Sequence, residues 1–261
     1  MLGHVRRACN FRWRSGRHGS KALTAAGTRY DKGALGDVLG TNVGNRHFAL
    51  AMLMAFCAAA VAGCDANRQA ANSISGMRQA FGLPPPQPSS FIVCRDHACS
   101  VKAPVSFSDA QWGQVRALMS SPLPADAAEE RARIARATAL LEDLVAAQAG
   151  TGGDVGGTFS GLGRGAGQLD CEDEAANTTQ YLVMMQEDGL LRFHAPIGRQ
   201  WRGNFVNGWP HTTAVIVETA NGREWAVDTW FEDNGQPAHV VEAELWRAGW
   251  SPPDKIGPQF G

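Results

Sequence analysis

The stretch Leu169-Asp170-Cys171-Glu172-Asp173-Glu174-Ala175 decides how the rest of the chain is read. Asp170 is an N-cap residue type, and Asp173 follows it at capping-box spacing. Glu172 and Glu174 add acids to the first turn, where the helix dipole favours them. The spacing predicts a helix that starts at Cys171, runs through Tyr181, Leu182 and Met185, and ends at Gly189. A cysteine in the first turn of a helix sits where partial positive charge stabilises the thiolate, the nucleophilic form.

A thiol needs a base, and the base needs an orienting acid. His194, His211 and His239 follow the cysteine. His211 enters the first of two β-rich segments, 213–219 and 224–230, joined around Asn221-Gly222, and Asp228 lies on the second. A tight Asn221-Gly222 turn would set Asp228 opposite Val215, roughly 13 Å along the strand from His211 at ~3.3 Å per residue. A four-residue turn over 219–222 sets Asp228 opposite Thr213 instead. His211 is then a diagonal neighbour, about 7 to 8 Å away between backbones, close enough for side chains to meet. Cys171, His211 and Asp228 therefore form a candidate triad only if the turn is the longer one or a bulge intervenes. The backbone N–H of Cys171 is the expected oxyanion donor, with the side chain of Gln168 as a second. The crowd of Asp170, Glu172, Asp173 and Glu174 works against a thiolate. Either those acids cap the helix and face water, or a cation such as calcium neutralises some of them.

Outward from this centre, residues 150–167 are rich in glycine and predict a mobile loop, or a gate, immediately before the cysteine. Gly161-Leu162-Gly163-Arg164-Gly165 lacks the strand-to-helix setting of a nucleotide loop. Ser108-Asp109 predicts a helix through Met119, and Asp126 opens a longer one through Ala149. Residues 91–94, 99–105 and 190–197 are expected strands. Residues 65–82 are expected to be a tether or one short helix. Pro84-Pro85-Pro86-Gln87-Pro88 reads as a stiff spacer holding the domain off a bilayer.

The N-terminal third points to export. Residues 47–63 form a short apolar run behind Arg46 that ends in small residues, the layout of a secretory signal rather than a membrane span. Val61-Ala62-Gly63-Cys64 resembles a bacterial lipobox, which implies lipidation of Cys64. Residues 1–46 hold nine Lys or Arg and no clear periodicity. They are expected to be a disordered or mis-assigned extension, with the true start near Met52. The chain carries 24 basic and 25 acidic residues. Nine and two of these fall in residues 1–63, so the remainder carries 15 and 23, a net of −8. A body this acidic argues against nucleic-acid binding. Of six cysteines, Cys9 and Cys57 leave with the leader and Cys64 carries lipid. Cys94 and Cys99 are expected to pair locally in an oxidising compartment, with a Cys94-His97-Cys99 metal site as the rival. Cys171 is left as the lone thiol.

Asp170-Cys171-Glu172-Asp173 with Ala175, His211-Thr212-Thr213-Ala214-Val215 and Trp225-Ala226-Val227-Asp228-Thr229 together resemble the bacterial transglutaminase-like cysteine protease superfamily. The nearest pattern is that of periplasmic, calcium-dependent proteases that cleave biofilm adhesins. The resemblance covers 168–230 well and 91–250 loosely. It implies an α+β, papain- or transglutaminase-like core, with the nucleophile's helix packed on an antiparallel sheet. It also implies Cys171, His211 and Asp228 as the triad, and calcium at Asp170 and Glu172. Glu174 departs from that group, which prefers an aromatic there, as do the lipobox and the glycine-rich approach to the cysteine.

The expectation is a lipid-anchored envelope domain over 91–261, with 64–90 as tether and linker. It would act as a cysteine peptidase, amidase or transglutaminase on protein or peptide substrates. Its chemistry requires no cofactor, though calcium is a candidate ligand. The alternative is a non-catalytic peptide- or calcium-binding lipoprotein on the same scaffold.

Overall fold

The computed structural model describes residues 69–158, 166–203 and 210–255. The expectations for the basic extension, the signal, Cys64 and much of the glycine-rich loop lie outside these residues. Among the described residues no helix is long and apolar enough to cross a membrane.

The architecture is α+β. A helix α1 (Ile74–Phe81) leads into an antiparallel hairpin of β1 (Phe91–Arg95) and β2 (Val101–Val105). Helices α2 (Asp109–Ser120), α3 (Ala127–Ala149) and α4 (Cys171–Glu187) follow. A four-stranded antiparallel sheet comes next, in the order β3-β4-β5-β6, with β3 at His194–Arg202, β4 at His211–Glu218, β5 at Glu224–Asp228 and β6 at His239–Glu242. A short helix α5 (Ala243–Arg247) closes the order.

The caps sit where their residue types predict. Ser108 accepts from the Gln111 N–H in a full capping box, and Asp126 accepts from the Glu129 N–H. Gly150 ends α3 in the left-handed region at φ 73°, which only glycine adopts at little cost. Asp170 accepts from the N–H groups of Glu172 and Asp173 while Asp173 accepts from that of Asp170, so α4 starts at Cys171.

Helix α4 is the central element. Residues 173–182 are all buried, polar ones included, because the helix lies against β1, β3 and β4 at once. Ala175 and Ala176 permit close approach, and the buried polar groups find specific partners. The Asn177 carboxamide accepts from the Cys94 N–H (2.8 Å) and donates to the Cys94 carbonyl (2.9 Å), and Gln180 donates to the Ile92 carbonyl (2.9 Å). The main core gathers Phe91, Trp112, Met119, Ile134, Leu141, Tyr181 and Ile216 between helices, hairpin and sheet. Burying a side chain of this size contributes ~1.5–3 kcal/mol.

Two expectations are corrected here. The strand expected at 190–197 begins only at His194 and runs to Arg202. Leu190 and Leu191 are buried in the core and finish the preceding helix: the Leu190 N–H reaches the Met185 carbonyl (2.9 Å) past Gly189 at φ 70°. Of the two forms expected for 65–82 the short helix is found, as α1, and both it and the proline-rich stretch after it pack on the body rather than standing off as a spacer. Met77 and Leu83 pack with Cys94, Cys99 and Ala176, Ser73 bridges to Gly198, and the Phe107 N–H donates to the Pro88 carbonyl (2.7 Å). The apolar residues of this segment gain more by burial than a solvated extended chain would allow.

Candidate active site

The β4–β5 turn is the longer of the two considered. The Glu218 N–H donates to the Arg223 carbonyl (2.8 Å), so residues 219–222 form the loop, and the ladder runs from Val217↔Glu224 to Ala214↔Val227. Continued by one step, this register sets Asp228 opposite Thr213, the arrangement that lets it reach His211. His211 Nε2 lies 2.7 Å from Asp228 Oδ2, and both side chains are buried. His211 itself pairs with Arg202 at the end of β3.

The pair's protonation follows from its partners. Burial raises the cost of charge on Asp228, but His211, the Trp246 indole N–H (2.6 Å) and Arg202 outweigh it. The carboxyl is held below its ordinary value. An ionised Asp228 only accepts, so Nε2 carries the ring proton and Nδ1 of the neutral ring is an acceptor. That Nδ1 is buried and has no hydrogen-bond partner among the described residues, and neither has Asp228 Oδ1. Trp230, Phe231 and Trp246 surround the ring at centroid distances of 4.6, 5.3 and 5.4 Å. This aromatic box excludes water and strengthens the pair.

Cys171 is a half-buried free thiol at the start of α4. Past Ala214, β4 is no longer paired with β5, and the Thr212 backbone N–H faces the sulfur instead. The residue next to His211 in sequence therefore touches the nucleophile candidate, which brings Cys171 to the same end of the sheet. Burial, then Asp170 and Glu172, push the thiol up. The Thr212 N–H opposes them, and Asp228 adds to the rise.

The acids flanking Cys171 are engaged by the protein. Asp170 Oδ1 accepts from the Glu172 (3.1 Å) and Asp173 (2.9 Å) N–H groups, and Oδ2 meets the Ala98 N–H (3.2 Å) and His97 Nδ1 (2.5 Å). Glu172 Oε1 accepts from the Thr212 hydroxyl (2.6 Å), and Oε2 pairs with Arg199 (2.5 Å). Four oxygens that already face donors, one of them a guanidinium, do not make a calcium cage, and as arranged Asp170 and Glu172 do not fit that ion. Among the described residues no group of three or more His, Cys, Asp or Glu side chains is placed to hold a metal.

Gln168 is a brace. Its Nε2 donates to the Gly153 carbonyl (2.8 Å), and its Oε1 accepts from the Val155 N–H (3.3 Å) and the Thr158 hydroxyl (3.4 Å). The carboxamide expected at the oxyanion thus ties down the loop before the cysteine. The Cys171 backbone N–H lies in the first turn of α4, where helix geometry offers it no intrahelical acceptor.

Cys94 and Cys99 form a disulfide, so the rival metal site is excluded. Between them Asp96, His97, Ala98 and Cys99 all have positive φ, at 63°, 77°, 49° and 58°. Left-handed backbone costs a non-glycine residue ~1–2 kcal/mol, so four in a row persist only under outside restraint.

Several contributors at the site carried no local sequence signal. Trp246 lies 18 residues beyond the aspartate it serves. Glu142 and Asp154 lie far before Glu174, yet the three form a buried carboxyl group. Burial, and then their mutual repulsion, raises all three, Asp154 to about 8. Asp154 still accepts from the Leu169 N–H (2.6 Å) and Glu142 from that of Gly235 (3.0 Å), so these acids pin the loops on either side of the site. Compared with family models, curated proteins and solved structures, the chain matches none.

Proposed function

We propose that the chain is a thiol acyl-transfer enzyme, a cysteine peptidase or amidase of transglutaminase-like, papain-like design, acting on protein or peptide substrates. The observation that carries the reading is the buried His211–Asp228 pair. Its Nε2 is spent on the aspartate and its Nδ1 is open, at the strand end where Thr212 meets Cys171. A structural histidine saturates both nitrogens; a general base keeps one for its proton.

In this reading Nδ1 takes the proton from Cys171 Sγ as the sulfur attacks the substrate carbonyl. The oxyanion that forms is met by the Cys171 backbone N–H. The His211 imidazolium, stabilised by Asp228, returns the proton to the leaving amine, and an acyl-thioester remains on Cys171. Water activated by Nδ1 releases the acid and restores the thiol; an amine in place of water gives transamidation. Cys64, by its lipobox, would tether the domain to the envelope membrane.

The pushed-up thiol favours a second reading, a non-catalytic binding module on the same scaffold. Iodoacetamide separates the two. Alkylation of Cys171 near neutral pH that is fast in the wild type and lost in His211→Ala supports the enzyme. Equally slow alkylation in both supports the binding module.

A further inference from the structure

We infer that the disulfide-closed loop Cys94–Cys99 is a positioning element for Cys171, so that the competence of the thiol depends on this disulfide being formed. The inference rests on Cys171 being a nucleophile. It starts from where the loop spends its backbone donors. The left-handed run turns successive N–H groups to one side, and they converge on the two acids that cap the nucleophile's helix. The His97 N–H donates to Asp173 Oδ2 (2.9 Å), the Cys99 N–H to Asp173 Oδ1 (2.6 Å) and the Ala98 N–H to Asp170 Oδ2 (3.2 Å). The His97 ring adds Nδ1 to the same Asp170 oxygen (2.5 Å).

The loop also grips the chain entering the helix. The Asp96 N–H donates to the Gln168 carbonyl (2.9 Å), and Asp96 Oδ1 accepts from the Gly167 N–H (2.6 Å). Residues 96–99 thus hold positions 167, 168, 170 and 173 around Cys171. Each of these contacts needs a backbone conformation that non-glycine residues leave when free. The closing restraint is the Cys94–Cys99 bond, anchored below by Asn177 of the same helix.

Reduction by a dithiol breaks the Sγ–Sγ bond. Two electrons and two protons pass to the two cysteines, and the reductant leaves as a cyclic disulfide. The released loop relaxes toward right-handed or extended backbone and withdraws its N–H groups. Asp170 and Asp173 then lose the backbone donors that fix them at the helix start, so Cys171 is held less firmly against its base and alkylates less readily near neutral pH.

The test uses the full chain in three forms: untreated, reduced with dithiothreitol and desalted without air, and carrying Cys94→Ser with Cys99→Ser. Site-resolved mass spectrometry follows iodoacetamide alkylation of Cys171 across pH. The expected result is a profile displaced to higher pH and a rate near neutrality reduced at least tenfold in both altered forms. A lower melting temperature with an unmoved profile overturns the inference, because the loop would then be structural only.

In a Cys171→Ser background, amide exchange at 172–174 reads the cap without the thiol. Protection lost on reduction supports the clamp, and protection retained overturns it. If Cys171 alkylates slowly in every form, the catalytic reading fails while the exchange arm still decides the clamp. His97→Ala leaves the disulfide intact and is expected to move the profile the same way by a smaller amount, about threefold in rate. No movement there counts against the ring's share.

Discussion

Two buried histidine–carboxylate pairs sit at opposite ends of one sheet, and they differ in what they leave over. His194, at the start of β3, puts Nδ1 2.9 Å from Glu130 Oε1 and faces Arg131 with Nε2 (3.2 Å). Glu130 also accepts from the backbone N–H groups of Arg192, Phe193 and His194. Every polar atom of that ring has a partner. His211, at the start of β4, has a partner for one nitrogen, and Asp228 for one oxygen. Both rings are almost wholly inaccessible, so burial does not distinguish them. The unspent valence does, and a buried polar atom without a partner calls for a physical reason. The saturated pair holds the entry to β3 against α3, and the open pair is the one we propose for chemistry.

The sharpest way to break this comparison is Asp228→Asn. The change keeps the shape but permits the wrong ring tautomer. If the pair is catalytic, peptide turnover falls by about 10⁴-fold with little loss of fold. A variant that retains turnover makes the open pair as structural as the other. The opposite experiment is Glu130→Ala, which strands His194 and three backbone donors. Removing one partner of a buried pair costs ~3–5 kcal/mol, and calorimetry should show a melting temperature lower by about 10 °C. Cys171 alkylation in the folded fraction should stay unchanged.

Titration sharpens the contrast further. Glu130 and Asp228 are both held below their ordinary values, so the stability they contribute is present at neutral pH. It is lost only as pH falls through their depressed values. Asp154 runs the other way. Its folded value of about 8 lies above the ordinary 3.8, so the folded state keeps a proton that the unfolded chain has released. That contribution is complete below about pH 4 and disappears as pH rises through about 8. Asp154→Asn should flatten stability between those limits by up to about 1.4 kcal/mol per pH unit, read by denaturant melts. The smallest effect is expected from Trp246→Phe, which removes one of the two donors on Asp228 Oδ2. Alkylation of Cys171 should slow about tenfold, with His194 and its neighbours undisturbed.

Legibility followed range. The caps at Ser108, Asp126 and Asp170 are local chemistry, and the helices start where those residues predict. Cys171 stood out as the lone thiol at a helix start, and His211 and Asp228 could be matched because a hairpin converts sequence spacing into a short list of registers, one of which lets ring and acid meet. Beyond a hairpin's reach the pattern fell silent. Strand β6 is four residues long and only partly buried, so it shows no clear alternation. Trp246 and Asp154 reach the site through tertiary packing that no spacing encodes. The left-handed run at 96–99 was equally hidden, since Asp-His-Ala-Cys contains no glycine to advertise positive φ. Asp170 and Glu172 were offered as calcium ligands by the family resemblance, with helix capping as the other reading, and spacing alone does not separate the two. Their partners, His97, Arg199 and Thr212, come from distant segments.

The turn at 219–222 has a consequence away from its own location. It lies at the far end of the ribbon from the ring, yet it selects which rung of the ladder the aspartate occupies. A slip of two residues there would carry Asp228 about 7 Å along the strand, beyond any rotamer's reach. The hairpin tip therefore works as a vernier for the alignment of ring and acid. Sequence drift at Asn221 or Gly222 would be read out as a parted ring and acid rather than as a damaged loop.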